Sequence, residues 1–171
     1  MDQDVKISSE QSSGQPADAR FEVANRLFFR LYQASNLLHK TGTRAVAAYG
    51  ATTQQWAVMG ALARPAVAAQ GCTVKDLIAF LMVSRQNLTA VLDRLEQAGL
   101  VERLRVPGDG RVRHVRLTGR GATQWAAMQA PIRDYYQDAL DGFSDAESLT
   151  LFRLLDRLRD GLAVIAAAEA E

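Results

Sequence analysis

From Phe21 to about Ala48, apolar residues recur at helical spacing but occupy much of the circumference. Phe28, Tyr32, Ser35 and His39 make one stripe, and Leu27, Leu31, Ala34 and Leu38 make another. A helix apolar on several sides is buried on several sides, which in a chain this small points to a partner subunit. Gly50 stops it, and Thr52 with Gln55 has capping-box spacing for a second helix, TTQQWAVMGALAR, ending before Pro65. PAVAAQGC reads as a loop. A short helix, TVKDLIAFL, leads to a turn at Met82-Val83. Ser84 is then the natural N-cap of SRQNLTAVLDRLEQAG, which Gly99 ends.

In that helix Leu88, Val91, Leu92 and Leu95 form an apolar stripe. Gln86, Thr89, Ala90, Asp93 and Gln97 lie opposite, with Arg85, Asn87 and Arg94 on the flanks. VERLRV then alternates as a strand does: Leu104 and Val106 point one way, Arg103 and Arg105 the other. After a glycine-rich tip, Val115 and Leu117 are the apolar side of a return strand, with Arg116 opposite. Thr118 caps a long helix towards Leu140, in which Pro131 predicts a bend. Ser144 with Glu147 caps a last helix carrying Leu151, Leu155, Leu158, Leu162 and Ile165 on one side.

Composition narrows the classes without choosing among them. The chain has 171 residues, 48% hydrophobic and 23% charged, with a formal net charge of +1. These values fit a globular, mainly helical protein and exclude no partner, so the local distribution of charge decides. Residues 1–20 are polar and read as a mobile tail. No signal peptide or membrane span is legible, and the expected location is the cytoplasm. The single cysteine, Cys72, allows no disulfide framework. His39 and His114 show no metal-ligand spacing, and there is no phosphate loop or nucleophile elbow. No catalytic residue, metal or cofactor is expected, and an enzyme is not the reading.

Residues 100–120 hold Arg103, Arg105, Arg111, Arg113, Arg116 and Arg120 against Glu102 and Asp109. A β-ribbon with exposed arginines around a glycine-rich tip suits a phosphate backbone, and a polar helix face suits the major groove. Asp109, two residues from Arg111, is placed to aim that guanidinium into a minor groove. The alternative is a helical bundle with an ordinary solvated turn.

TVKDLIAFLMVSRQNLTAVLDRLEQAGLVERL followed by GDGRVRHVRLTGRG resembles the MarR family of winged helix-turn-helix regulators. The most specific pieces are LDRLEQAGLVER, the Asp109-x-Arg111 pair and LTGRG at 117–121. Gly110 stands where the family often has arginine, Ile78 where helix-turn-helix motifs commonly have alanine, and Met82 where they have glycine. The resemblance implies a mainly α fold with a small β-wing: a winged lobe at 51–120 and an intertwined helical dimerisation region at 21–50 and 121–168. It implies a homodimer on palindromic double-stranded operator DNA, with contacts from Ser84, Arg85, Gln86, Asn87, Thr89, Arg94, Arg105, Asp109, Arg111 and Arg113.

It also implies a small aromatic effector between the dimer helices and the lobe, near Tyr32, Asn36, His39, Arg44 and Trp56. FRLYQASNLLHKTGTRAV and TTQQWAVMGAL are similar to members controlling hydroxycinnamate degradation, whose inducers are CoA thioesters. Lys40 and Arg44 would then meet CoA phosphates. The resulting expectation is a repressor of aromatic-acid catabolic genes, released from DNA by its effector. Two alternatives stay open: a winged helix used only for protein contacts, and a thiol-based redox sensor at Cys72.

Overall fold

The computed structural model describes residues 16–106 and 109–168, with residues 16, 17 and 105–113 described by backbone alone. The first helix, α1, spans Pro16–Ala45. It therefore starts ahead of the apolar repeat at Phe21, and residues 16–20 are helical rather than tail; residues 1–15 lie outside the described residues. Proline suits a first helical position, where its missing N–H is no loss, and Asp18 complements the helix dipole. A 3₁₀ turn at Ala47–Tyr49 follows, closed by Gly50 at φ 65°.

Helix α2 (Thr53–Leu62) carries the expected capping box between Thr52 and Gln55. PAVAAQGC is not all loop. Pro65 opens a one-turn helix, α3 (Pro65–Ala68), and Cys72–Thr73 forms a short strand, β1. Thr73 then caps α4 (Val74–Leu81), its hydroxyl and amide both bonded to the Asp76 carboxylate at 2.7 and 3.1 Å. These bonds hold the Asp76 pKa below the usual carboxylate range.

Helix α5 spans Arg85–Gln97 and ends in a Schellman motif. Gly99 N–H donates to the Glu96 carbonyl and Leu100 N–H to the Leu95 carbonyl, both at 2.9 Å. Strands β2 (Val101–Val106) and β3 (Asp109–Leu117) complete an antiparallel sheet of order β1-β3-β2. Helices α6 (Gly119–Leu140) and α7 (Asp145–Ala168) follow, the latter begun by the Ser144–Glu147 capping box. The result is a mainly helical winged helix-turn-helix.

Two apolar clusters organise these elements. Met59, Leu62, Leu77, Leu88, Leu92, Leu95 and Val115 fill a core between α2, α4, α5 and the sheet. Val46, Ala51, Trp56, Met128 and Ile132 join the end of α1 to α2 and α6. Pro131 does not break α6, which runs through it. Proline leaves the Ala127 carbonyl without its helical donor, and the Tyr49 hydroxyl donates to that carbonyl at 3.0 Å.

The LTGRG segment has a steric reason for its last residue. The Thr118 hydroxyl accepts from Gly121 N–H at 3.0 Å, capping α6. A Cβ on Gly121 would stand 1.9 Å from the Leu100 carbonyl oxygen, whereas one on Gly119 would meet nothing within 4 Å. Gly121→Ala is therefore expected to destabilise the fold by about 3 kcal/mol, the upper range for overpacking. Gly119→Ala should leave stability unchanged or slightly raised. Urea denaturation of the two variants checks this; equal stabilities would remove the steric argument.

Candidate nucleic-acid interface

Helix α4, the turn and α5 form the helix-turn-helix. The turn closes at Met82, with φ 51° and ψ 42° the only non-glycine residue in the left-handed region among the described residues. Glycine is usual at this position because a Cβ is crowded there. Ser84 then caps α5 by accepting from Asn87 N–H at 3.2 Å. Leu88, Val91, Leu92 and Leu95 are buried, which turns Ser84, Arg85, Gln86, Asn87, Thr89 and Arg94 to solvent. Thr89 bonds back to the Arg85 carbonyl at 2.8 Å, leaving its methyl group and the longer side chains for an incoming surface.

The wing is β2 and β3. They pair from Val101↔Leu117 to Arg105↔Arg113, then slip between Arg105 and Val106, so that Val106 lies opposite Asp109. Arg105, Asp109, Arg111 and Arg113 are therefore on the hairpin. Their side chains, and with them the aiming of Arg111 by Asp109, lie outside the described residues, as do Pro107 and Gly108 altogether.

The register corrects the faces read from alternation. Arg103 lies opposite Val115, on the core side, while Leu104 lies opposite His114. Arg103 pairs with Asp93 and Glu96 of α5 at 2.5 and 3.3 Å, and Arg116 pairs with Glu102 at 2.7 Å. Two of the six arginines are thus held by carboxylates, while Arg120 is exposed at the start of α6. On the outer face, His114 Nδ1 donates to the Gln70 carbonyl at 3.0 Å. The carbonyl can only accept, which assigns the proton to Nδ1.

A cavity of about 340 Å³ lies behind α5. Leu38 and His39 of α1, Thr53, Gln54 and Ala57 of α2, Val83 of the turn, and Asn87, Leu88 and Val91 of α5 are among its walls. Of the six residues expected near an effector, only His39 reaches it. Tyr32 and Asn36 are exposed on the same helical stripe, and Lys40 and Arg44 are exposed farther round α1. Trp56 is a correction. It is 7% exposed and sealed by α6, with Tyr135 and Tyr136 at ring-centroid distances of 6.0 and 5.6 Å. The walls Gln54 and Asn87 were not read as ligand residues, since no periodicity marks where two helices diverge.

A model described as MarR family matches residues 49–112. The transcriptional activatory protein BadR of Rhodopseudomonas palustris is 51% identical over 160 residues, 89% of this chain and 91% of that protein. The chain belongs to the MarR family. The homoprotocatechuate degradative operon repressor of Escherichia coli is 30% identical over 105 residues, 61% of this chain and 68% of its own. The structure of an E. coli MarR mutant complexed with operator DNA has a TM-score of 0.71 at 27% identity, covering 81% of this chain and 96% of that one.

This MarR-family chain is a DNA-binding transcriptional regulator rather than an enzyme. Among the described residues no group of three His, Cys, Asp or Glu is placed to hold a metal, and no helix is long and apolar enough to cross a membrane. Cys72 is 8% exposed, and burial, helped by the nearby Asp76 carboxylate, raises its thiol pKa. A thiol held protonated is a poor peroxide nucleophile.

Two outcomes follow from this geometry. Peroxide treatment at neutral pH should leave DNA affinity unchanged; loss of affinity reversed by dithiothreitol would restore the redox reading. Met82→Gly should raise stability by up to about 1 kcal/mol in chemical denaturation, because the side chain is exposed and its backbone strained.

Proposed function

We propose that this protein is a homodimeric regulator of aromatic-acid catabolic genes that loses its grip on palindromic operator DNA when an aromatic effector enters the cavity behind α5. The observation carrying this is the cavity's position: one wall is the recognition helix itself. Its volume lies at the small end of ligand sites. It suits an aromatic ring with a short acidic chain better than a whole CoA thioester. The acyl part of a thioester would enter, and its nucleotide arm would lie outside, where Lys40 and Arg44 are exposed. His39, Gln54 and Asn87 supply polar partners among apolar walls. The name of the E. coli relative, a repressor of a homoprotocatechuate degradative operon, supports an aromatic substrate class.

The dimer is proposed from exposed apolar surface. Phe21, Phe28, Phe29 and Tyr32 of α1, and Phe152, Leu154, Leu155 and Ile165 of α7, are exposed, and α7 buries no residue against this chain. Such a surface belongs against a second copy. In this arrangement 51–120 forms the DNA-binding lobe, and 21–50 with 121–168 forms the dimerisation region. Ser84, Arg85, Gln86, Asn87, Thr89 and Arg94 enter the major groove. Arg105, Asp109, Arg111 and Arg113 serve the wing. Two lobes fit half-sites about one helical turn apart.

The test is fluorescence anisotropy of the protein on its own upstream intergenic DNA, with hydroxycinnamates, other aromatic acids and their CoA thioesters added in turn. Release by free acids is expected, with His39→Ala and Gln54→Ala shifting the effector midpoint but not DNA affinity. Release by thioesters alone would move the effector's anchor to Lys40 and Arg44. Insensitivity to all of them would overturn the aromatic reading. The names of relatives include both an activator and a repressor, so a promoter–reporter fusion fixes the sign of control. Arg111→Ala should weaken binding to every DNA and lower the log–log salt slope by about 1; an unaltered slope removes the wing contact.

A further inference from the structure

The geometry points to Arg103 as a positioning residue that clamps the wing to the recognition helix and does not itself touch DNA. This rests on the reading that the wing reaches DNA. In the sequence Arg103 is one of six arginines in the hairpin region. In the fold its register partner is Val115, which is fully buried, so its side chain leaves on the α5 side of the sheet. There the two guanidinium nitrogens reach Asp93 and Glu96, one helical turn apart, at 2.5 and 3.3 Å. A planar fork spans two such carboxylates; a lysine ammonium is a single point charge.

The position of the clamp gives it leverage. Strand β1 braces β3 only at Val115 and His114, and beyond those rows the hairpin pairs with itself. The outer face is braced by Arg116 on Glu102 and by His114 on the Gln70 carbonyl. Arg103 is the ionic brace on the inner face. Strand β2 continues three residues beyond it, about 10 Å of extended chain. A tilt of about 15° at the clamp shifts that end by roughly 2.5 Å, most of a hydrogen-bond length. The clamp also accounts for two acids on a helix that approaches phosphates, where negative charge opposes binding.

Direct electrostatics and positioning predict opposite signs for one variant. Asp93→Asn combined with Glu96→Gln removes two negative charges from the recognition helix and frees Arg103. Simple charge counting makes DNA binding tighter; loss of the clamp makes it weaker, by about tenfold, the scale of one lost groove contact. Operator binding would be measured from 50 to 200 mM salt for this variant, for Arg103→Lys, Arg103→Gln and Arg111→Ala. Weaker binding is expected for the double variant and for Arg103→Lys, with the salt slope of each unchanged, since no phosphate contact is removed. The pair is partly exposed, so thermal unfolding should barely move; if Arg103→Gln fails to fold, the double variant decides. Tighter binding by the double variant, full retention by Arg103→Lys, or a slope lowered by about 1 in Arg103→Gln would overturn the clamp and make Arg103 a phosphate ligand or a bystander. Arg111→Ala without effect would overturn the wing contact itself, and the clamp with it.

Discussion

The Leu100 carbonyl is where recognition helix, wing and the long helix α6 are tied together. Its own amide ends α5 by bonding to Leu95, and its oxygen accepts from Thr118 N–H at 3.0 Å. The Thr118 hydroxyl donates to the neighbouring Gly99 carbonyl at 2.7 Å and caps α6 through Gly121. Entry to the hairpin, exit from it and the start of α6 are thus fixed within one cluster of backbone bonds. Only glycine at 121 lets α6 approach that closely. The relative direction of the groove-reading helix and α6 therefore depends on backbone contact, which leaves little room for drift.

Charge in the hairpin region sorts by register rather than by sequence. Of the arginines whose side chains are described, Arg103 and Arg116 face carboxylates across strands or onto α5, and Arg120 faces solvent. Exposed ion pairs contribute little to stability, so these pairs matter chiefly for direction. They hold the base of the hairpin on both faces while its outer half is held only by its own ladder. That division suits a wing that follows a groove but must leave the body at a set angle.

Legibility in the sequence followed the physics of each element. Capping boxes at Thr52–Gln55 and Ser144–Glu147, the Ser84 cap and the Gly99 stop are local, and the structure has them all. The same rule applied to Thr73 and Asp76 would have found the cap of α4. Strand β1 is two residues long and exists because β3 is beside it, so no pattern of its own announces it. Alternation was read correctly as a strand, but the face of Arg103 depends on pairing with Val115, which is a tertiary fact. Pro131 was read as a break; Tyr49, more than eighty residues earlier, supplies the donor to the carbonyl it orphans. For the crevice, helical stripes placed His39 well and Trp56 badly, because an aromatic residue on a helix does not reveal which neighbour will cover it.

The cavity and the DNA-facing surface share a helix, and this constrains how they can communicate. Leu88 and Val91 line the cavity and also belong to the packed core, while Asn87 lines it from the first turn of α5, held by the Ser84 cap. A molecule seated there meets side chains that cannot deform separately, since the core behind them is close-packed. Displacement passes to α5 as a whole and, through Asp93, Glu96 and Arg103, to the wing. A coupling of roughly 1–3 kcal/mol, about 5–150-fold in affinity, is enough for a switch, and by linkage DNA must weaken the effector by the same factor. An effector of the cavity therefore acts on both DNA-reading elements at once, because the clamp makes them one body.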